Sequence, residues 1–409
     1  MLPPPVHLDN GVEVNVIPMM STDLIAISIL FCGGQWAQHK KLQSDFAAQQ
    51  IKSGTAHLSA DTLEDRLDYY GATITSGASI THCFVRLNCL RRTLPEALPL
   101  FCEMLTSPAY EQPLLEHSLE EGIMSYQVSE QKVAYVSKRI FYQQLLGKQN
   151  PAAQYVEEAD YHSICRDDLL HFHRQFLTLS NAVIYVTGKV DEQLLSLLNR
   201  HLGNIPCDQP HLHQHLPAAI TTSPQMMHEE TLPVPSVQSG LRMGKVMPDN
   251  SHADYPALHL TSVLLGGYFG SRLMKNIRER LGFTYGISSN FFSIPYNNIF
   301  FIATETPRKH VAQCVAEIRK DLLDLQTRPV SQEELTNARN FMLGQFCRIT
   351  ETSMSLNVLM MNQRAQGFHL SDLLHEQQII QSLTPADIQR CAQQYFSPDE
   401  MLIAAAHGK

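Results

Sequence analysis

Apolar and polar residues alternate through residues 11–18, the pattern of a half-buried strand. Residues 24–32 form an unbroken apolar run of strand length, stopped by Gly33-Gly34. Helical spacing follows over 42–52 and over 60–70, where Ser59 or Asp61 can cap the second helix. Strand patterns at 72–80 and 82–90 precede a helix at 94–106 that ends before Pro108. Residues 112–147 read as helical for most of their length, and a helix at 166–177 leads into a strand at 182–187. Strands, helices, strands and helices in that order predict an α+β chain rather than strict βα alternation.

Residues 201–225 break the pattern with Pro206, Pro210, Pro217 and Pro224 and the alternating His211, His213 and His215. Clustered proline without periodicity reads as an interdomain linker. The alternating histidines would chelate a metal only from an extended segment; a solvated polar linker is the plainer reading. The chain then repeats itself. Asp167–Lys189 and Asp387–Lys409 share Phe176/Phe396 and the closing Gly-Lys at an offset of 220. Pro108 and Leu114 recur as Pro329 and Leu335 at 221, and Tyr70-Gly71 faces Tyr285-Gly286 at 215. The expectation is two similar duplicated α+β domains, 1–205 and 225–409, joined by a linker at 206–224. Each would be a mainly antiparallel sheet packed with helices.

A chain of 409 residues with 44% apolar and 17% charged residues can fill such cores. A net charge of -9 argues against a general nucleic-acid binder. Nine cysteines occur without any C-x-x-C, which fits buried thiols in a reducing compartment better than zinc ribbons or redox pairs. The N-terminus carries no basic and apolar leader pattern, and no run approaches ~20 apolar residues. A cytoplasmic protein without a membrane span is therefore expected.

The richest stretch for chemistry is 264–291. Gly266, Gly267 and Gly270 precede a helix-like segment with Arg272, Lys275, Arg278 and Arg280. This is neither G-x-G-x-x-G nor a Walker A motif, so a phosphate cradle is poorly supported; close packing at a helix start explains the glycines. The stretch resembles the C-terminal domain of the pitrilysin/insulinase zinc peptidases, the inverzincins. There a small-residue segment precedes a helix of the form R-E-x-x-G-x-x-Y, and Arg278-Glu279 with Tyr285 reproduces the seven-residue spacing. The resemblance implies that Arg278 positions a peptide backbone. It also implies that the Tyr285 hydroxyl supports a carbonyl oxygen as it gains charge. It extends to Leu8–Val12, Gly33-Gly34, Lys52-Ser53-Gly54-Thr55, Asp61–Gly71 and Ser180–Gly188, and implies a duplicated fold of the metallopeptidase-subunit (LuxS-like) type.

The family's H-x-x-E-H motif puts two zinc ligands and a general base on one helix face. The matching positions here are Asp45, Ala48 and Gln49, and the third ligand position holds Gln127, with Glu120 retained. No complete catalytic set and no metal site is expected in this chain, and zinc is expected only in a partner. His117-Ser118-Leu119-Glu120-Glu121 lacks a second histidine and reads as a solvated helix face; His171 and His173 point apart on a helix. Half-length members of the family work as pairs. The resemblance therefore implies a zinc-bearing paralogous subunit, or a second copy of this chain, as partner, and peptide as substrate, with neither nucleic acid nor membrane. An inactive structural or peptide-binding homologue is the alternative.

Overall fold

The computed structural model describes residues 2–19, 23–207 and 211–409; part of the expected linker, 208–210, lies outside the described residues. Eleven described strands form two sheets. The first contains β1 (Val6–His7), β2 (Glu13–Pro18), β3 (Leu24–Cys32), β4 (Thr73–Ala78), β5 (His82–Leu90) and β6 (Ala182–Gly188), in the order β1-β2-β6-β3-β5-β4. The second contains β7 (Met227–Thr231), β8 (Gln238–Met247), β9 (Ile287–Ile294), β10 (Asn297–Pro307) and β11 (Leu402–His407), in the order β7-β11-β8-β10-β9. Apart from β1 the two orders are the same. Each has one parallel pair, β2 with β6 and β7 with β11, and is otherwise antiparallel. The duplication expected from the sequence is thus a duplication of topology.

The helices also divide between the two halves of the chain. The first half of the chain supplies α1 (Gln43–Gln49), α2 (Ala60–Tyr69), α3 (Leu94–Thr106), α4 (Gln112–Ser129), α5 (Val133–Leu146), α6 (Glu158–Ser163), α7 (Arg166–Phe176) and α8 (Glu192–Leu198). The second supplies α9 (Tyr255–Ser262), α10 (Val311–Thr327), α11 (Gln332–Thr350), α12 (Ser353–Ala365), α13 (Leu370–Ser382) and α14 (Pro385–Tyr395). Residues 112–147 are helical for most of their length, as expected, in two helices, α4 and α5. Ser59 caps α2 by accepting from the Thr62 amide, as its position before an apolar-periodic run requires.

The chain divides into two compact units that are not contiguous in sequence. The first comprises 1–124, 156–216 and 348–369; the second comprises 125–155, 217–347 and 370–409. The strands of each sheet follow the expected halves, but the equivalent helices α5 and α12 are exchanged: α12 packs on β6, β3 and β2, while α5 packs on β8, β11 and β7. This explains why the apolar run at 24–32 does not alternate. Ile25, Ile27, Ile29 and Phe31 enter the main core of the first unit. Leu30, with Ile17 and Tyr185, packs instead against Met361 and Ala365 of α12. A sheet covered on both faces needs apolar residues on both. On α5, Val136, Ile140, Phe141 and Leu145 are buried, each worth about 1.5–3 kcal/mol of burial. Gly240 of β8 permits this packing, since a Cβ there would lie 2.3 Å from the Val133 carbonyl oxygen.

Candidate functional site

Residues 274–280 form a wide-turn (π) helical segment, anchored by buried Leu273 and Ile277. Gly282, at φ 65°, turns the chain out of it, a conformation that suits glycine. Phe283 stacks on His310, with centroids 4.3 Å apart. The Thr284 hydroxyl lies 2.7 Å from the Glu305 carbonyl of β10. The loop is thereby fixed to the sheet on either side, and Tyr285 is left 90% exposed. Arg278 Nε donates to the Tyr285 carbonyl at 2.9 Å, and its guanidinium lies over the Phe269 ring at 4.6 Å. The structure therefore brings the two expected residues together, through the backbone of one and the side chain of the other. Phe269, 61% exposed, completes the group and was not legible as part of it.

The neighbouring cations are differently placed. Arg272 is bound by Glu334 (2.6 Å) and Asp324 (3.0 Å), and Arg280 by Glu317 at 3.2 Å. Among the described residues no carboxylate is ion-paired with Arg278. Gly266 sits where a Cβ would meet the Ser289 amide at 2.6 Å, so this glycine serves the approach to β9, as the packing reading expects.

Tyr285 and Gly286 open onto a cavity of about 320 Å³. Its other walls are the first turns of α5 (Ala134, Ser137), the start of β8 (Gln238, Leu241, Arg242) and the end of β10 (Ala303, Thr304, Glu305). Arg242 was not singled out in the sequence. A cation inside a strand is a weak signal, and its neighbours on α5 lie a hundred residues earlier in the chain.

The positions matching the zinc motif lie on α1. Both Asp45 oxygens accept from Gln35 Nε2, at 3.1 and 3.2 Å, and burial raises the carboxyl above its usual range. Ala48 is fully buried and Gln49 is exposed. Gln127 is exposed on α4, as is Glu120. Among the described residues no three His, Cys, Asp or Glu side chains gather where an ion could be held. A zinc ion does not fit this donor set: one half-buried carboxylate already bonded to an amide, a methyl group and two amides.

The histidine tract runs to the boundary between the two units, partly exposed, and hydrogen bonds dock it as a strap on the first unit. The Trp36 indole donates to the Leu216 carbonyl (2.9 Å), His215 Nε2 bonds the Thr81 carbonyl (2.7 Å), and the His213 amide donates to Asn181 Oδ1 (2.7 Å). His82, buried beside Ser79 and Thr81, has its imidazole pushed down to about 4 by desolvation and by His215. His173 is buried against the Leu105 carbonyl at 2.8 Å, whereas His171 is exposed. His117 and Glu121 form an exposed pair at 3.4 Å. Six of the nine cysteines are buried.

Residues 163–342 match the family model of the peptidase M16 inactive domain. Over these residues the chain is similar to that family. This agrees with the pitrilysin/insulinase resemblance carried by Arg278, Tyr285 and the degenerate zinc motif. The non-peptidase homolog YmxG of Helicobacter pylori is 24% identical over 312 residues, 73% of this chain and 68% of that one. The crystal structure of a peptidase M16 inactive domain from Pseudomonas fluorescens superposes with a TM-score of 0.86 at 19% identity, over 99% of this chain and 98% of that one. That of a protease from Helicobacter pylori gives 0.85 at 18%, over the whole of both chains. At such identities these structures show the M16-type fold alone. No helix among the described residues is long and apolar enough to cross a membrane.

Proposed function

We propose that this chain is the non-zinc subunit of a two-chain peptidase, presenting Arg278 and Tyr285 to a peptide that a zinc-bearing paralogous subunit hydrolyses. The observation that carries this reading is a contrast within one molecule. The zinc-motif positions hold Asp45, Ala48 and Gln49, one bonded, one buried and one without ligand character for zinc. The Arg278–Tyr285 loop is meanwhile fixed on both sides with its phenol in solvent. In this reading the partner supplies metal, water and general base. The Tyr285 hydroxyl donates to the peptide carbonyl oxygen, where charge develops, and Arg278 holds the loop carbonyl while its guanidinium meets the substrate backbone.

A second reading is an inactive peptide-binding or structural homologue, alone or as a homodimer; the name non-peptidase homolog given to the Helicobacter relative favours it. A quenched fluorescent peptide library separates the two. Hydrolysis is measured with this chain, with an H-x-x-E-H paralogue, and with their mixture, each with zinc. The shared-site reading expects activity in the mixture alone. Arg278→Ala or Tyr285→Phe should then lower kcat/KM by about 100-fold, the scale of one lost oxyanion donor. A mixture that gains nothing leaves the binding or structural reading. Zinc-dependent activity of this chain alone overturns both.

A further inference from the structure

Arg242 is a largely buried cation without a counter-ion. Its Nη1 is buried and has no hydrogen-bond partner, and its guanidinium lies over the Phe301 ring at 4.8 Å. Among the described residues no carboxylate is ion-paired with it. The charged and titratable groups around it are few. Burial raises the Tyr142 phenol to about 12 and raises Tyr155 as well, so both are neutral near pH 7 and offer no counter-charge. Lys138 of α5, exposed overall, has its ammonium lowered by desolvation and then by Arg242, which makes it a second positive charge nearby. Glu305 lines the same cavity and is exposed. The start of α5, which also lines the cavity, has no side-chain cap, so its positive dipole end is uncovered. An unpaired buried guanidinium is a costly arrangement, retained where something else neutralises it.

From this we infer that the cavity between α5, β8 and β10 is a carboxylate-binding pocket, in which Arg242 takes a carboxylate of a peptide whose backbone runs past Tyr285. A guanidinium fork matches a planar monoanion bidentately. A phosphate dianion would meet Glu305 with few cations to offset it. The inference rests on the peptide-facing reading of Tyr285 for the nature of the ligand. It goes beyond that reading in naming the chemistry the ligand carries: a C-terminal carboxylate, or an Asp or Glu side chain.

The test uses the whole chain alone, without partner or zinc, and fluorescence anisotropy. Three fluorescein-labelled Gly-Ser-Ala repeat peptides are compared: one with a free C-terminus, one amidated, and one amidated with a single internal Glu. At least one carboxylate peptide should bind tenfold or more tighter than the plain amide, and which one does so identifies the source of the carboxylate. Arg242→Met should remove the difference. Ala303 stands opposite Arg242 in the β8–β10 register. Ala303→Glu should therefore also remove the difference by supplying an internal counter-ion, while Ala303→Gln, equal in bulk, should keep it. This second pair decides the matter even if Arg242→Met does not fold. Equal binding of all three peptides, or a difference that survives in Arg242→Met or Ala303→Glu, overturns the inference. Carboxylate discrimination without hydrolysis in any mixture would sink the shared-site reading and leave the pocket standing; hydrolysis without discrimination would do the reverse.

Discussion

Each compact unit buries an arginine beneath an exchanged helix, and the two are treated differently. In the first unit Arg86 of β5 lies opposite Ser28 of β3, which in turn lies opposite Tyr185 of β6. Arg86 Nε donates to Ser28 Oγ at 2.7 Å, and Nη2 reaches Asn357 of α12 at 3.4 Å. Asn357 itself donates to Thr187 at 2.9 Å. In the second unit Arg242 of β8 lies opposite Ala303 of β10 and Ala404 of β11. There the cation sits on the central strand, its cross-strand neighbours are methyl groups, and Nη1 is without a partner. One unit thus holds a closed polar network beneath its exchanged helix, and the other an open one. A closed network specifies how a helix docks; an open one remains available to a ligand.

The sharpest way to break the comparison is at the docked helix. Gly240→Val places a side chain where even a Cβ meets the Val133 carbonyl at 2.3 Å and Ser137 Oγ at 2.6 Å. The expected loss is about 3 kcal/mol or more, the scale of severe overpacking. Hydrogen exchange should show it over 227–247 and 402–407 and spare the first sheet. Next comes the pair of arginines. Arg86→Met removes the donor to Ser28 Oγ and to Asn357 Oδ1 and should cost about 2 kcal/mol. Arg242→Met strands no such network and should change stability by less than about 1 kcal/mol, in either direction. Equal losses for the two substitutions in urea titrations would remove the distinction.

A further expected effect is in acid and concerns the first unit. His82 is held neutral, its value depressed to about 4 from an ordinary 6.5. The unfolded chain therefore takes up a proton first as pH falls. The stability this group contributes is complete above about pH 6.5 and is lost towards pH 4, at no more than about 1.4 kcal/mol per pH unit. Trp36 is the single tryptophan and is tied to the histidine strap, so its fluorescence reports this unit. His82→Gln should flatten the pH dependence of the Trp36 unfolding midpoint; an unchanged slope would show that another group sets it.

Much of this fold was legible because local rules and burial agree. The apolar run 24–32 is β3 and the amphipathic run 94–106 is α3, both to the residue. Repeat offsets close to those in the sequence, 214 and 220, separate equivalent elements. β3 starts at residue 24 and β8 at 238, β6 at 182 and β11 at 402. The exchange of α5 and α12 was not legible. Periodicity tells that a helix has an apolar face, not which sheet receives it. The docking of the strap at 211–216 gave no signal, because side-chain and main-chain hydrogen bonds hold it, and these leave no periodic trace. At the candidate site, the seven-residue spacing of Arg278 and Tyr285 carried the reading. Phe269 and Arg242 join it only through the way strands and helices are brought together.

The exchanged helices also impose an order on synthesis. When the ribosome has finished the first sheet and the strap at 211–216, the face of β2, β6 and β3 that α12 covers is still bare, and α12 is encoded some 140 residues further on. At typical elongation rates that is roughly 7–30 s, during which Leu30, Val183 and Tyr185 have no cover. The emerging α5 meanwhile has no finished sheet to receive it, since β11 is made last. The nascent chain is therefore a client for holding chaperones until almost its final residue. Separately expressed halves, cut in the strap, would each be missing one helix that only the other can provide.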